Sequence, residues 1–553
     1  MGRRSNGEVI DHLLTPLGGM SEIVAVSQRA INGAMKRLLV DHPETGHVQC
    51  HTKRGDSLDA LIDEPKVALS VTGDSRDHLF DEKRVKELGR RLVETQRAAN
   101  KFNYVPPVQY DVSGWVIAFS ANIGTEDVEK DSDEEKKVRQ ALKQVEQADI
   151  LKMDKENSHL VGVEFDDDDW SALGGVLNNW YLGDDSPMKD RKTRTIGYAL
   201  RTNDPRSVNS DAPTFPPTSL KFQTYEYKAP GHESEPGKDG IGVGDNNVLL
   251  YLITDNEDIP NIIGLPWNGN LVEDGKEGTV CVATKLIWDD YLLRKTSPLL
   301  LHSLNQAIYA RIKSTDQSNS LNLKFDIGIG SFGRSNDFYY WEPVHTWADM
   351  ANPVQWTWAP NEPEQTDDHG VDHTGNDANH LTINCKVSNS MTAEPGSNMI
   401  TMWGDTNIRV QGRGLSEIMV AAWSFEYDIE ATVSWVIAAT MTAVENGGIQ
   451  TVLDLPSNPT DVFSITTKVN KNRFDIQGVD RDEATQAQLD NLVNPLKNQL
   501  SKIKLGEVAQ ALQNNLNGAA RFVVPGGGAF SYADPMFNYH GDLMVDVKYR
   551  LEE

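Results

Sequence analysis

The sequence predicts an α+β fold in which antiparallel sheets pack on a few helices. Two observations lead there. Apolar residues alternate with period two in many short runs, as half-buried strands require: Val67-Leu69-Val71, Trp115-Ile117-Phe119, Leu323-Phe325-Ile327-Ile329, Ile383-Cys385-Val387, Val433-Trp435-Ile437 and Leu543-Val545-Val547-Tyr549. Only three segments carry a helical stripe, and strict strand–helix–strand alternation is absent, which argues against a doubly wound parallel sheet.

The first helix is expected from Ser21 to about Leu39. Ser21 is a suitable N-cap, Glu22 suits the positive end of the dipole, and Val24, Ile31, Met35 and Leu38 share a face. The second is expected from about Leu286 to Ile312, with Trp288, Leu292, Leu299, Leu304 and Ile308 on a stripe and Pro298 kinking it. The third runs from about Glu483 to Leu516, with Leu489, Leu492, Leu496, Leu500 and Ile503 on one face and bends at Pro495 and Gly506. Between them lie a charged stretch at 124–149, read as a solvated insertion helical toward Val145, and a Pro/Gly/Asp/Ser-rich loop at 201–247 with one strand-like piece, Leu220–Tyr225. The organisation expected is an N-terminal part, 1–320, holding both insertions, and a β-rich C-terminal part, 321–553, closed by the helix near 483–517.

The 553 residues are 39% hydrophobic and 24% charged, a globular balance. A net charge of −28 repels phosphate backbones and anionic surfaces, so no nucleic-acid partner is expected. Three dispersed cysteines, Cys50, Cys281 and Cys385, form neither a disulfide framework nor a zinc motif, and they fit a reducing compartment. Arg3 and Arg4 precede no apolar signal region, and no apolar run reaches the ~18 residues of a transmembrane helix. A soluble, cytoplasmic protein is expected, with export by a signal-independent route left open.

The segment Asp367–His380, with His369, His373 and His380 among carboxylates, is the best metal candidate. Its spacing matches no ligand motif, and Gly370 and Gly375 oppose the helix that would bring His369 and His373 together; a polar surface loop without a bound metal is expected. Asp166–Asp169 lacks the glycine and closing glutamate of a calcium loop. Gly240-Ile241-Gly242-Val243-Gly244 lacks the preceding strand and following helix of a phosphate cradle. Pro525-Gly526-Gly527-Gly528 is explained by a sharp connection. No nucleophile elbow, zinc-protease pair or P-loop occurs, so no catalytic residue and no cofactor is assigned and a non-enzymatic protein is expected.

Seven of the 12 tryptophans fall between Trp341 and Trp435. Most suit a sheet core, but Trp356-Thr357-Trp358, beside Pro353 and Pro360, offers a platform on which a sugar could stack, a carbohydrate-binding alternative.

Three segments together resemble the clostridial neurotoxin-cluster accessory proteins of the OrfX type and related uncharacterised fungal proteins, within the TULIP superfamily of tubular lipid-binding proteins. They are Ser21–Asn32; the stretch Val248–Thr254, Ile259-Pro260, Leu265-Pro266-Trp267, Gly275 and Leu286–Leu293, followed by Pro298-Leu299; and Val524-Pro525-Gly526-Gly527, Phe530 and Gly541-Asp542-Leu543. They cover about a fifth of the chain, in the family's order. The insertions at 124–149 and 201–247 and the stretch 341–358 have no counterpart. The resemblance implies a TULIP-like fold, strongly curved antiparallel sheets wrapped around long amphipathic helices. It further implies a lipid or other apolar ligand in a groove between helix and sheet, lined by Leu292, Leu299, Leu304 and Ile308. The alternative it implies is a protein–protein or assembly role, as in a toxin-complex accessory component.

Overall fold

A computed structural model describes residues 13, 15–41, 43–51, 57–61, 67, 69, 117–119, 123–127, 137–142, 150–153, 175, 180, 195–200, 219–229, 244–254, 264–293, 300–306, 308–315, 323–329, 341–344, 354–358, 364–372, 378–418, 421–444, 448–455, 459–507, 510 and 530–549. The architecture is sheet-rich α+β, with nearly all strand pairing antiparallel. In chain order the main strands are β1 (Glu22–Ser27), β2 (Ser219–Tyr225), β3 (Val248–Thr254), β4 (Gly278–Val282), β5 (Ile308–Thr315), β6 (Leu323–Ile329), β7 (Glu342–Pro343), β8 (Val354–Trp358), β9 (Glu364–Asp372), β10 (Ala378–Ala393), β11 (Met399–Ile418), β12 (Ala421–Val444), β13 (Gly448–Asp454), β14 (Phe463–Asp475), β15 (Phe530–Phe537) and β16 (Leu543–Tyr549). Two α-helices exceed ten residues among the described residues, α1 (Gln28–Asp41) and α2 (Arg481–Leu500).

A six-stranded sheet runs β15-β16-β4-β1-β3-β2. Its centre is buried on both faces, so its strands are continuous apolar runs rather than alternating ones. Val24 and Val26 of β1 face a large core, while Ile23 and Ala25 face a smaller one with Leu13, Leu17 and Leu265. This corrects the expected helix from Ser21: its first turns are a strand. The β-branched pattern Ile23-Val24-Ala25-Val26 favours extended backbone, and the flanking strands β3 and β4 complete its ladder on both sides. The helix starts at Gln28, where the Ser27 hydroxyl accepts from the Ala30 N–H at 3.2 Å.

The second sheet has eight strands. Its spine is β10, β11 and β12, of 16, 20 and 24 residues. At about 3.3 Å per residue the longest spans roughly 80 Å, far beyond the usual strand. Each flank of the spine is covered by two shorter strands end to end: β8 and β9 along β10, β13 and β14 along β12. Alternation is strict. The inward set of β12, Phe425, Tyr427, Ile429, Ala431, Val433, Trp435, Ile437, Ala439 and Met441, is buried throughout. Outward positions carry Glu426, Glu430, Thr432 and Ser434.

The β5–β6 hairpin and α2 cover that inward face. Helix α2 presents Leu489, Leu492, Leu496 and Leu500 to the core; Asp480 caps it, accepting from the Asp482 and Glu483 N–H groups at 2.9 and 3.0 Å. The helix continues through Pro495, which supplies no N–H to the ladder.

Several expectations need correction. The stretch 286–312 is not one kinked helix. It is a π-helix over Lys285–Leu292, a 3-10 turn over Leu300–Leu304 and then strand β5; residues 294–299 lie outside the described residues. Its leucine stripe suits any short helical turn, and from Ile308 the alternation Ile308-Ala310-Ile312, paired with Ile329-Ile327-Phe325, wins. The third helix, α2, is described as one α-helix only to Leu500.

The 124–149 stretch holds two strands, Ile123–Asp127 and Lys137–Leu142, paired with each other, and the second pairs in turn with Thr195–Leu200. Charge does not prevent pairing when the strands are short. Glu364–Asp372 is strand β9, hydrogen-bonded to β10, rather than loop; the ladder of the long partner outweighs the poor strand propensity of Asp, His and Gly. Residues 373–377, including His373, lie outside the described residues, as do Asp166–Asp169, 240–243 and 525–528. The strand-like piece in the 201–247 region is β2. Strand β5 pairs with β6 across position 320, and β15 and β16, late in the chain, join the sheet built on β1.

Candidate functional site

The sequence-derived ligand residues converge on one interior without sharing a helix face. Leu292 closes the π-helix, Leu304 ends the 3-10 turn and Ile308 opens β5. All three are fully buried in the large core, which also takes the inward faces of both main sheets. Leu299 lies outside the described residues.

Specific polar contacts anchor this segment. The Thr284 N–H and hydroxyl both donate to Asp542 Oδ1, at 2.8 and 2.9 Å, and Trp288 Nε1 donates to the Gly541 carbonyl at 2.9 Å. The Gly541-Asp542 turn thus holds the start of the π-helix. Trp288 packs between Trp356, with centroids 4.0 Å apart, and Phe537, at 5.1 Å. His302 is buried. Its Nδ1 accepts from the Trp341 N–H at 3.0 Å, so Nε2 carries the proton and donates to the Leu293 carbonyl at 2.8 Å. That neutral ring ties the 3-10 turn to the end of the π-helix. Farther on, Cys385 Sγ lies 3.3 Å from both the N–H and the carbonyl of Ala310, joining β5 to β10.

Trp356 and Trp358 are buried at 1% and 4% exposure. They cannot offer a sugar a platform, which corrects the carbohydrate alternative. Their alternation on β8 points both rings inward, into the sheet core that most of the tryptophans suit. Among the described residues no group of three or more His, Cys, Asp or Glu side chains could hold a metal ion. No helix there is long and apolar enough to cross a membrane.

The interior is not uniformly apolar. Glu22 is fully buried on β1, between Ile253 and Val282, and its Oε1 has no hydrogen-bond partner among the described residues. Burial pushes its carboxyl up to about 8, so it is protonated at neutral pH. On the long sheet, Asn389, Thr406 and Trp435 are all buried and face inward. They could have been found from strand parity alone: Asn389 keeps step with Ile383, Cys385 and Val387, and Thr406 with Met402 and Ile408.

Two glycines of β11 shape this face. Gly404 lies opposite Asn389 and Trp435, and Gly412 opposite Leu381 and Tyr427. A Cβ on Gly412 would fall 2.4 Å from the Tyr427 ring, so the ring crosses the strand directly over the glycine.

The core reaches solvent along β14. Inward-facing Thr467 and Val469 are exposed, Val469 at 43%, while their partners Ala431 and Ile429 on β12 are buried. The seam between α2 and β14 therefore has an open lip on the face that elsewhere forms the core.

No protein-family model matches the sequence, and no curated protein matches it. Among solved structures, P47 from Clostridium botulinum A2 aligns over 96% of this chain and 98% of its own at 12% identity, with a TM-score of 0.38. A lipopolysaccharide binding protein aligns over 96% of this chain and 99% of its own at 9% identity, with a TM-score of 0.28.

Proposed function

We propose that the protein binds a lipid or another apolar molecule without catalysing a reaction, in a TULIP-like interior between helical segments and sheet. The observation that carries this reading is the seam at β14. There a core lined by aliphatic and aromatic side chains from both main sheets opens to water at Thr467 and Val469, beside the single helix α2. Leu292, Leu304 and Ile308 lie deeper in the same interior, and Leu299 is retained as a lining residue on the sequence reading. Since Leu292, Leu304 and Ile308 are packed without exposure, a ligand enters by parting the α2–β14 seam rather than by filling a standing cavity.

Native mass spectrometry and organic extraction of the purified chain test this, with uptake of fluorescent fatty acids and phospholipids in parallel. Val469→Trp places bulk at an exposed position, so folding is expected to survive and uptake to fall. A clean extract with no uptake by the wild-type chain overturns the reading.

An assembly role is the second reading, and a different surface favours it. On the outer face of the long sheet Met399, Val436 and Val452 are 40%, 59% and 47% exposed, and Trp403, paired with Val436, is half-buried between them. Self-association lost on Val436→Lys, measured by light scattering, would favour it.

A further inference from the structure

Asn389, Thr406 and Trp435 form a polar island within an otherwise apolar sheet face. Asn389 is the register partner of Gly404, Gly404 that of Trp435, and Thr406 stands two residues along β11 on the same side. The Asn389 amide orientation is fixed. Its Nδ2 donates to Asn305 Oδ1 at 2.6 Å and to the Gln306 carbonyl at 3.0 Å, so a flipped amide would set oxygen against two oxygens. Oδ1 therefore faces Gly404. Both Asn389 Oδ1 and Trp435 Nε1 crowd the space over that glycine, 1.9 and 2.7 Å from where its Cβ would be. Yet Asn389 Oδ1, Trp435 Nε1 and Thr406 Oγ1 each lack a hydrogen-bond partner among the described residues. An unpaired buried polar atom costs about 1–3 kcal/mol, so three on one patch form a considerable debt.

The three atoms are an acceptor, a donor and a hydroxyl. A group complementary to all of them both donates and accepts, which describes a hydroxyl. A carboxylate would oppose Asn389 Oδ1, and an ammonium would leave the indole N–H unanswered. The lip lies on the same face as the island: Thr467 pairs with Ala431, and two residues along β12 from Ala431 is Val433, the register partner of Thr406.

We propose that the Asn389–Thr406–Trp435 island binds the hydroxyl of an apolar, alcohol-headed ligand, its hydrocarbon part lying along the inward face toward β14. This rests on the apolar-ligand reading and gives the ligand a polar end.

The test compares 1-dodecanol with dodecane, delivered from cyclodextrin to the full chain and to its Thr406→Val and Trp435→Phe variants. Tryptophan fluorescence reads affinity, and the Trp435 indole N–H resonance, assigned from the Trp435→Phe protein, reads occupancy. The wild type is expected to prefer the alcohol about tenfold, as one to two net hydrogen bonds allow, with that ratio falling toward one in both variants. The Trp435 indole proton should move downfield with dodecanol only. Equal affinity for alcohol and alkane in the wild type overturns the hydroxyl assignment while leaving apolar binding standing. An indole proton already downfield without ligand and unmoved by dodecanol assigns the island to a buried water and overturns it too. Binding of neither molecule overturns the apolar-ligand reading, and this inference with it.

Discussion

Replacing Glu22 by glutamine should change how stability depends on pH. The carboxyl sits in the central strand of the six-stranded sheet, fully buried, with a partnerless oxygen, and burial raises its pKa from 4.5 to about 8. Below 4.5 the folded and unfolded chains are both protonated there, and no penalty exists. Between 4.5 and about 8 the folded chain keeps a proton that the unfolded chain has released, so stability falls as pH rises, and above that window the penalty is complete. At about 1.4 kcal/mol per pKa unit the full effect approaches roughly 5 kcal/mol. Glu22→Gln keeps the shape and removes the titration. Urea unfolding of both proteins from pH 5 to 9, followed by tryptophan fluorescence, gives the difference in stability at each pH. Other titrating groups contribute alike to both proteins and cancel. The difference should grow in favour of the variant by about 1.4 kcal/mol per pH unit and level off above pH 8. A difference that stays flat from pH 5 to 8 would refute the burial argument.

Three further outcomes follow from packing and charge. Gly412→Ala should destabilise by about 1–3 kcal/mol in equilibrium unfolding, because the new methyl meets the Tyr427 ring at 2.4 Å and the ring must shift. Leu492→Ala, at a fully buried position of α2, should cost about 2–5 kcal/mol in the same assay. Arg409 donates from Nε and Nη2 to the Asp428 carboxylate and, with Gln411 and Asn470, holds its pKa below the usual range. Arg409→Ala should raise the Asp428 pKa in an NMR titration. It should also remove stability that the wild type has above the ordinary carboxylate pKa and loses as acid protonates Asp428, by about 1 kcal/mol or less since the arginine is half-exposed.

The fold was legible where one face met water. The alternation at Ile383–Val387 and Val433–Ile437 marked strands that the structure contains. It failed where burial is two-sided or turns are short. Glu22–Ser27 has no polar face to give it period two, and Leu286–Ile312 passes through three conformations while keeping a leucine at nearly every helical step. Of the candidate site, the apolar character of Leu292, Leu304 and Ile308 was legible; that they meet in one interior depends on long-range packing, including the β5–β6 pairing and His302 between Leu293 and Trp341. The exposure of Val469 was not legible, since a β-branched apolar residue on a strand reads as core.

The end-to-end covering of the long sheet has a mechanical consequence. On one flank β9 pairs as far as Lys386 and β8 begins at Asn389; on the other β14 pairs as far as Trp435 and β13 begins at Ala438. Through the spine these two gaps are staggered. Val387 and Ser388 align with Thr406 and Asp405 and then with Val433 and Ser434, which β14 still pairs. Val436 and Ile437 align with Trp403 and Met402 and then with Ser390 and Met391, which β8 pairs. Among the described residues no line across the spine therefore loses both flanks at once, and the long sheet is braced as overlapping planks are. The polar island sits at the overlap: the ladder runs unbroken from Trp358 through Asn389, Gly404 and Trp435 to Phe463.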